Sequence, residues 1–129
     1  MKFKGVNKEG VVVIGTGYVP YGNNEVCIVN NIDDLKNRQN VVPIDTLSVS
    51  TGINDNNNTE VYNNDIIKVQ LNDLYDYYYL ITYNAIKARF ECIGSNSLEV
   101  MIEAGIPFEV VGNKFTSQEL LNRCLKHNG

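Results

Sequence analysis

Residues 51–69 read TGINDNNNTEVYNNDIIKV, and this stretch carries the pattern from which the fold is predicted. Its first part is polar and rich in asparagine, a residue that tolerates the left-handed backbone conformation required in tight turns. Its last part begins the segment Asp65–Leu71, where apolar residues at 66, 67, 69 and 71 predict a strand buried mainly on one face. The stretch therefore predicts turns that lead directly into a core strand.

Short strand patterns flank this stretch on both sides. Apolar runs and alternating apolar residues predict strands at 2–6, 11–14, 25–29, 41–44, 47–49, 77–83, 86–93, 98–102 and 108–111. Asn84-Ala85 separates two of them and favours a tight hairpin, whereas Gly15–Gly17 predicts a break or a bulge. The polar residues 30–40 predict a loop with at most one helical turn.

The end of the chain carries the signature of a helix. Thr116 and Glu119 have the spacing of a capping box, and Phe115 and Leu120 form the matching hydrophobic staple. Ser117 is a competing cap that would move the start of the helix by one residue. The helix then presents an apolar stripe to a sheet, made by Leu120, Leu121, Cys124 and Leu125.

Many short strands with one terminal helix predict a mainly β fold of the α+β class. We expect a small antiparallel core, either a twisted sheet or a barrel, with a C-terminal α-helix. The length of 129 residues fits a single domain over residues 1–129. The loop at 30–40 is a candidate linker between two sub-modules, an N-terminal β hairpin region at 1–29 and a β core with the terminal helix at 41–129.

The composition narrows the range of functions. The formal net charge is −4 and the pI is near 4.9, which argues against nucleic acid as a partner, because proteins that bind it usually present a basic face. The cysteines Cys27, Cys92 and Cys124 are widely spaced and odd in number, so they predict reduced thiols and neither disulfides nor zinc ligands. We expect Cys92 in the core and Cys124 partly exposed on the helix.

The sequence lacks the usual catalytic and metal-binding constellations. The single histidine, His127, is two residues from the C-terminus, which is a poor place for a catalytic base or a metal ligand. The loop that starts at Asp55 resembles the beginning of a calcium loop, but it lacks the central glycine and has Ile66 in place of the final glutamate. No apolar stretch is long enough to span a bilayer. We therefore expect no metal, no cofactor, no enzymatic activity and no membrane partner.

Tyrosines cluster between residues 75 and 83. Strand alternation places Tyr77, Tyr79 and Tyr83 on one face and Tyr78 on the other. An exposed tyrosine face would suit a protein interface or nucleotide stacking, whereas a buried one would be cross-strand packing within the sheet. The candidate binding residues are these tyrosines and three cations that could contact phosphate: Tyr75, Tyr77, Tyr79, Tyr83, Lys68, Lys87 and Arg89.

Two segments resemble the YopX-like family of bacteriophage and prophage proteins. Residues 51–69 match the family pattern T-G-L-x-D-x-x-G-x-E-I-Y-E-G-D-I-V-K-V without a gap, and residues 108–121, FEVVGNKFTSQELL, are similar to the closing F-E-V-I-G-N-I-Y-x-N-P-E-L-L. The family has glycine where this chain has Asn58 and Asn64, which indicates tight turns, since Gly and Asn best accept positive φ. The motif residues, expected to be structural, are Thr51, Gly52, Asp55, Glu60, Tyr62, Asp65, Gly112 and Asn113.

The resemblance implies a small β-rich homo-oligomer without established enzymatic activity. We expect a non-enzymatic phage or prophage accessory protein in the bacterial cytoplasm that modulates a host process, such as antiviral defence, by binding a host protein. Two alternatives stay open. One is a small-molecule sponge that binds a nucleotide signal at oligomer interfaces, and the other is a nucleic-acid-binding β-barrel.

Overall fold

A computed structural model describes residues 2–72, 75–93 and 98–128 of the chain. The contacts within it divide the chain into two compact units, Met1–Ser50 and Thr51–Gly129. Antiparallel strands make up both units, and a helix ends the second one. The prediction of a mainly β, antiparallel fold with a C-terminal helix is therefore confirmed.

The N-terminal unit consists of short antiparallel strands. Strand β1 pairs with β2 on one side and with the start of β6 on the other, while β4 pairs with β3 and β5. As a result, β2 and β3 each occupy the end of their strand order. The strands are β1 (Phe3–Val6), β2 (Val12–Gly15), β3 (Gly17–Gly22), β4 (Glu25–Val29), β5 (Val41–Pro43) and β6 (Ser48–Asn54).

The predicted linker at 30–40 does not separate two modules. It forms two 3-10 helices, Ile32–Lys36 and Arg38–Asn40, and leads into β5, which pairs with β4. Val26 and Val42 face each other in that pairing and share one buried cluster with Ile28. Residues 41–50 therefore belong with the N-terminal unit, and the division falls after Ser50, which differs from the predicted sub-modules 1–29 and 41–129.

The second unit is a four-stranded antiparallel sheet with two helices. Its order is β10-β9-β8-β11, so β8 and β9 are the inner strands and β11 is an edge strand. The short strand β7 pairs with β6. The elements are β7 (Glu60–Tyr62), β8 (Asp65–Asn72), β9 (Tyr75–Asn84), β10 (Arg89–Cys92), α1 (Leu98–Glu103), β11 (Phe108–Asn113) and α2 (Gln118–Asn128).

Strand alternation gives this sheet an apolar cluster on each face. Ile67 and Ile81 belong to one cluster, together with Met101 of α1 and Phe108. Neighbouring residues point the other way, so Ile66 and Leu80 pack with α2 through Cys124, Leu120 and Leu121. The strand prediction at 65–71 identified β8 but gave it one buried face, whereas the structure covers it on both.

Residues 98–102 are a helix and not the predicted strand. Gly105 has φ +70°, its N–H donates to the carbonyl of Ile102, and the N–H of Ile106 donates to the carbonyl of Met101. These two bonds are a Schellman motif, which ends a helix with a glycine in the left-handed region. The apolar run misled the prediction because its residues are not buried together: Met101 is buried, while Val100 and Ile102 are about half exposed.

The turn between β9 and β10 is longer than the predicted Asn84-Ala85 connection. Residues 85–88 form it, and β10 begins at Arg89. The Asn84 side-chain oxygen accepts the N–H groups of Ile86 and Lys87, both at 3.0 Å. Asparagine thus builds a side-chain turn instead of occupying a two-residue hairpin.

Helix α2 begins at Gln118, which makes Ser117 the capping position and rules out Thr116. The N–H of Leu121 donates to the Ser117 carbonyl at 3.0 Å, as the first helical bond requires. The side-chain oxygen of Asn113 instead accepts the N–H of Thr116 at 3.0 Å. Of the two predicted starts, the one-residue-later alternative is correct.

Gly112 has no room for a side chain. A Cβ there would collide with the side chain of Ser117 and come within 3.1 Å of Leu120. Gly112→Ala should lower the free energy of unfolding by about 1–3 kcal/mol, as overpacking does. Urea denaturation followed by circular dichroism measures this change.

Gly17→Ala is the matched control, because its added Cβ would meet nothing closer than 3.8 Å. Equal stabilities of the two variants would contradict the close packing of β11 against the start of α2.

Candidate functional site

Asp55 organises the loop between β6 and β7. Its Oδ1 accepts the N–H of Asn57 at 2.9 Å and of Thr59 at 2.8 Å, while Oδ2 accepts the N–H of Val110 at 2.8 Å. The side chain is 8% exposed, so these three bonds satisfy a nearly buried carboxylate. The carboxylate of Asp55 therefore holds the loop in its shape.

The same loop covers the free edge of β11. The N–H of Asn56 donates to the carbonyl of Phe108 at 3.1 Å, next to the bond from Val110 to Asp55. Asn57 Nδ2 also donates to Glu109 Oε2 at 3.2 Å. A loop and a carboxylate thus occupy the positions where another strand could otherwise bind.

A second carboxylate, Asp65, is fully buried at the start of β8. Its Oδ2 accepts the N–H of Tyr62 at 2.9 Å across the turn that contains Asn64. Burial and a hydrogen bond to Glu60 raise the pKa of the Tyr62 hydroxyl, so this tyrosine is a neutral, packed group. Asn58 and Asn64 have φ of 64° and 73°, which confirms the tight turns inferred at both positions.

Replacing the Asp55 carboxylate tests how the loop is held. Asp55→Ala leaves three N–H groups without their acceptor and should reduce the stability of the second unit by about 2–3 kcal/mol. Asp55→Asn retains one acceptor oxygen for the turn, so it should cost less while still accelerating hydrogen exchange at the Val110 amide. Urea denaturation and amide exchange by NMR measure these effects.

Glu103→Ala, an exposed acidic position in the same unit, is the control and should change stability by less than about 0.5 kcal/mol. Unchanged exchange at Val110 in both Asp55 variants would show that the carboxylate does not close the edge.

The predicted tyrosine site is distributed between core and surface. Tyr77 and Tyr79 are half-buried against the apolar cluster of Ile67 and Ile81, and Tyr78 packs on the opposite face, where Arg123 lies 5.4 Å from its ring centre. Tyr83 is 49% exposed and makes an edge contact with Phe90. The Tyr75 side chain lies outside the described residues. The structure thus leaves Tyr83 as the accessible ring among the described candidates.

The three predicted cations lie on different elements. Lys68 on β8 forms an ion pair with Glu109 at 3.0 Å, and Arg89 on β10 pairs with Glu91 at 2.8 Å. These contacts raise the pKa of Lys68 and lower the pKa of Glu109 and of Glu91. Lys87 lies in the exposed 85–88 turn. Two of the three positive charges are therefore already neutralised by a carboxylate.

Lys68 and Glu109 line a cleft of about 210 Å³ in the second unit, together with Asn56, Asn57 and Gln70. Asn57 and Lys68 each bind one oxygen of Glu109, so the carboxylate is held from both sides. A phosphate entering this cleft would meet that carboxylate beside the lysine. The cleft therefore suits neutral or zwitterionic groups better than anions.

All three cysteines are free and buried. Burial raises the pKa of Cys92 to about 12, and it also raises the pKa of Cys27, which is further raised by Asp34, and of Cys124. Cys92 is in the core as expected, whereas the expectation that Cys124 is partly exposed is wrong, because it packs between α2 and the sheet. Thiols in such surroundings are poor nucleophiles.

In the folded protein at pH 8, the three thiols should therefore react with Ellman's reagent at least about 100 times more slowly than a free cysteine. All three should react rapidly in denaturant. The variant Ile86→Cys is the positive control, because residue 86 is 97% exposed. A native thiol that reacts as fast as the introduced one would contradict the burial described for these residues.

A stretch of sequence with many exposed apolar side chains, which the sequence reasoning missed, lies in the N-terminal unit. We call it the edge strip; it comprises Val11, Val12, Ile14, Tyr18, Val19 and Tyr21, which are 39–52% exposed. These residues lie on or beside β2 and β3, the end strands of their sheets. Residues 10–24 contain no Asp, Glu, Lys or Arg, and this gap in the charge pattern was the signal available in the sequence.

The YopX protein family matches residues 2–122 of the 129-residue chain. The chain belongs to the YopX family. No curated protein and no solved structure matches the chain.

The YopX-family motif residues have identifiable structural tasks in this chain. Thr51 donates from Oγ1 to the carbonyl of Val61 at 2.7 Å, and Gly52 has φ +77°. Asn113 accepts the N–H of Phe115 at 2.8 Å and so shapes the link from β11 to α2. Together with Asp55 and Asp65, these residues fix turns and strand ends.

Within the described residues, no group of three or more His, Cys, Asp or Glu side chains could hold a metal ion. None of the helices described there is long and apolar enough to cross a membrane.

Proposed function

We propose that this YopX-family protein is a non-enzymatic phage or prophage accessory protein. It assembles with itself and modulates a host process, such as antiviral defence, through protein–protein contacts in the bacterial cytoplasm. The edge strip is the observation that carries the proposal. Exposed apolar side chains along end strands are typical of surfaces that bind other proteins.

A second copy of the chain is the partner that best fits the strip. Each chain carries a formal net charge of −4, so two copies repel each other through most of their surfaces. Residues 10–24 have no charge, and this stretch can meet its own counterpart without that repulsion. The end positions of β2 and β3 also allow backbone pairing with a strand of the partner.

Three further observations support the non-enzymatic role, the cytoplasmic location and the choice of surface. The thiols are buried with raised pKa values, so none of the three is suited to be a nucleophile. Free cysteines also fit a reducing compartment such as the bacterial cytoplasm. The motif residues that the chain shares with its family serve turns and strand ends, and none of them belongs to the edge strip.

Lysines placed on the strip test self-assembly. The wild-type protein should have a native mass of at least twice 14.5 kDa, whereas the double variant Val12→Lys with Ile14→Lys should be a monomer. Lysine on an edge strand opposes strand pairing, and Lys4 already lies opposite Ile14. Native mass spectrometry combined with light scattering measures the assembly.

Ile86→Lys is the matched control, since it makes the same kind of change at an exposed apolar residue of the second unit. It should leave the mass unchanged. A monomeric wild-type protein, or a double variant that still assembles like the wild type, would refute self-assembly through the strip.

Phage plating tests the proposed effect on a host defence process. Wild-type protein expressed in phage-challenged bacteria that carry a defence system should increase phage plating, and the double lysine variant should lose the increase. If the wild type and the double lysine variant increase phage plating equally, the edge strip is not required for the effect on the host. No effect of the wild type on any defence system tried would count against the host-directed role.

A further inference from the structure

A polar cleft of about 410 Å³ lies within the N-terminal unit. The turn after β1 forms one wall with Lys8 and Glu9, β3 and β4 contribute Tyr21 and Glu25, and the 3-10 helix Arg38–Asn40 contributes Arg38. The volume is within the range of about 300–1,000 Å³ that small-molecule sites usually have. None of the residues proposed from the sequence as binding residues lies in it.

Asn7 fixes the walls of this cleft relative to each other. The side chain is 7% exposed, and its Oδ1 accepts the N–H groups of Glu9 and Val11, both at 3.0 Å. Its Nδ2 donates to the carbonyl of Gln39 at 3.1 Å and to that residue's side-chain oxygen at 3.3 Å. One buried amide therefore joins the turn after β1 to the helix that carries Arg38, so the cleft is preorganised.

The charged groups in the cleft leave one cation available. Lys8 pairs with Glu25 at 3.6 Å, and Glu9 accepts a hydrogen bond from Gln39 at 3.4 Å. The guanidinium of Arg38 forms no ion pair or hydrogen bond with any described residue. A guanidinium with its donors free binds a carboxylate or a phosphate through two parallel hydrogen bonds.

Tyr21 supplies an aromatic surface in the same cleft. Its ring is 47% exposed and stacks on no other ring among the described residues, unlike Tyr18, which contacts Phe3. An accessible tyrosine face is a platform on which a planar ring can stack. The cleft thus combines a ring platform with a free planar cation.

We propose that this cleft binds a small molecule in which a planar ring carries a single anionic group, with nucleoside monophosphates as the class that fits best. Arg38 binds the anion, and Tyr21 stacks on the ring. Lys8 stays paired with Glu25, while the remaining carboxylate oxygens of Glu9 and Glu25 accept hydrogen bonds from hydroxyl or amino groups of the ligand. The two carboxylates also oppose a polyphosphate, because each further negative charge meets like charge in the cleft.

NMR titration of the full chain with four nucleoside 5′-monophosphates tests this site. At least one monophosphate should saturate, with shifts at residues 7–9, 21 and 38–39, and should bind about tenfold more tightly than its nucleoside or inorganic phosphate alone. Arg38→Gln and Tyr21→Leu should each weaken binding about tenfold or more. Phenyl phosphate and benzoate, titrated in parallel, show whether phosphate or carboxylate is the preferred anion.

Arg89→Gln is the control, because that guanidinium is already bound to Glu91 in the other unit. It should leave the affinity unchanged. The site is refuted if no probe saturates, if Arg38→Gln binds like the wild type, or if a nucleoside triphosphate binds more tightly than its monophosphate. Tyr21 belongs to the edge strip as well, so Tyr21→Leu affects both proposed surfaces, whereas Arg38 lies outside the strip. Arg38→Gln should therefore retain wild-type assembly, and this variant separates the ligand site from self-assembly.

Discussion

In the second unit, the loop after β6 covers the backbone groups on the outer edge of strand β11. An uncovered edge strand offers N–H and carbonyl groups to any other chain, and here Asp55 and Asn56 bind those of Val110 and Phe108. The carboxylate of Asp55 acts as a strand would, while its other oxygen holds the loop in the required shape. In the N-terminal unit, by contrast, apolar side chains stay exposed along β2 and β3. One unit thus closes an edge, and the other presents edges suited to a partner.

The sequence allowed prediction of features that depend on local chemistry. Asn58 and Asn64 turn the chain because asparagine tolerates positive φ, and the alternation after Asp65 identifies β8. It did not allow prediction of features that depend on tertiary packing. The run before Gly105 satisfies a strand pattern as well as a helix pattern, and only the burial of Met101 against the sheet decides between them. Likewise, no local signal shows that α2 covers the second face of β8.

The candidate site was less predictable, for a related reason. Tyrosines such as Tyr77 and Tyr79 suit a binding surface and a packed sheet equally well in sequence, and here they pack against the core. Arg38 was overlooked because residues 30–40 look like a polar loop, and its neighbours in the cleft come from distant parts of the chain. The edge strip is visible in the sequence as the longest stretch without a charged residue, residues 10–24. A strand pattern without charges is compatible with a core strand, so exposure could not be inferred.

The distribution of paired charges connects the two proposed surfaces. Carboxylates hold Lys8 through Glu25, Lys68 through Glu109 and Arg89 through Glu91. Binding a run of phosphates would require these pairs to break while the chain's net negative charge repels the ligand. A single anion needs only one free cation, which Arg38 supplies. Residues 10–24 carry no charged side chain. A neutral strip is the part of an acidic surface that a second copy can approach most closely.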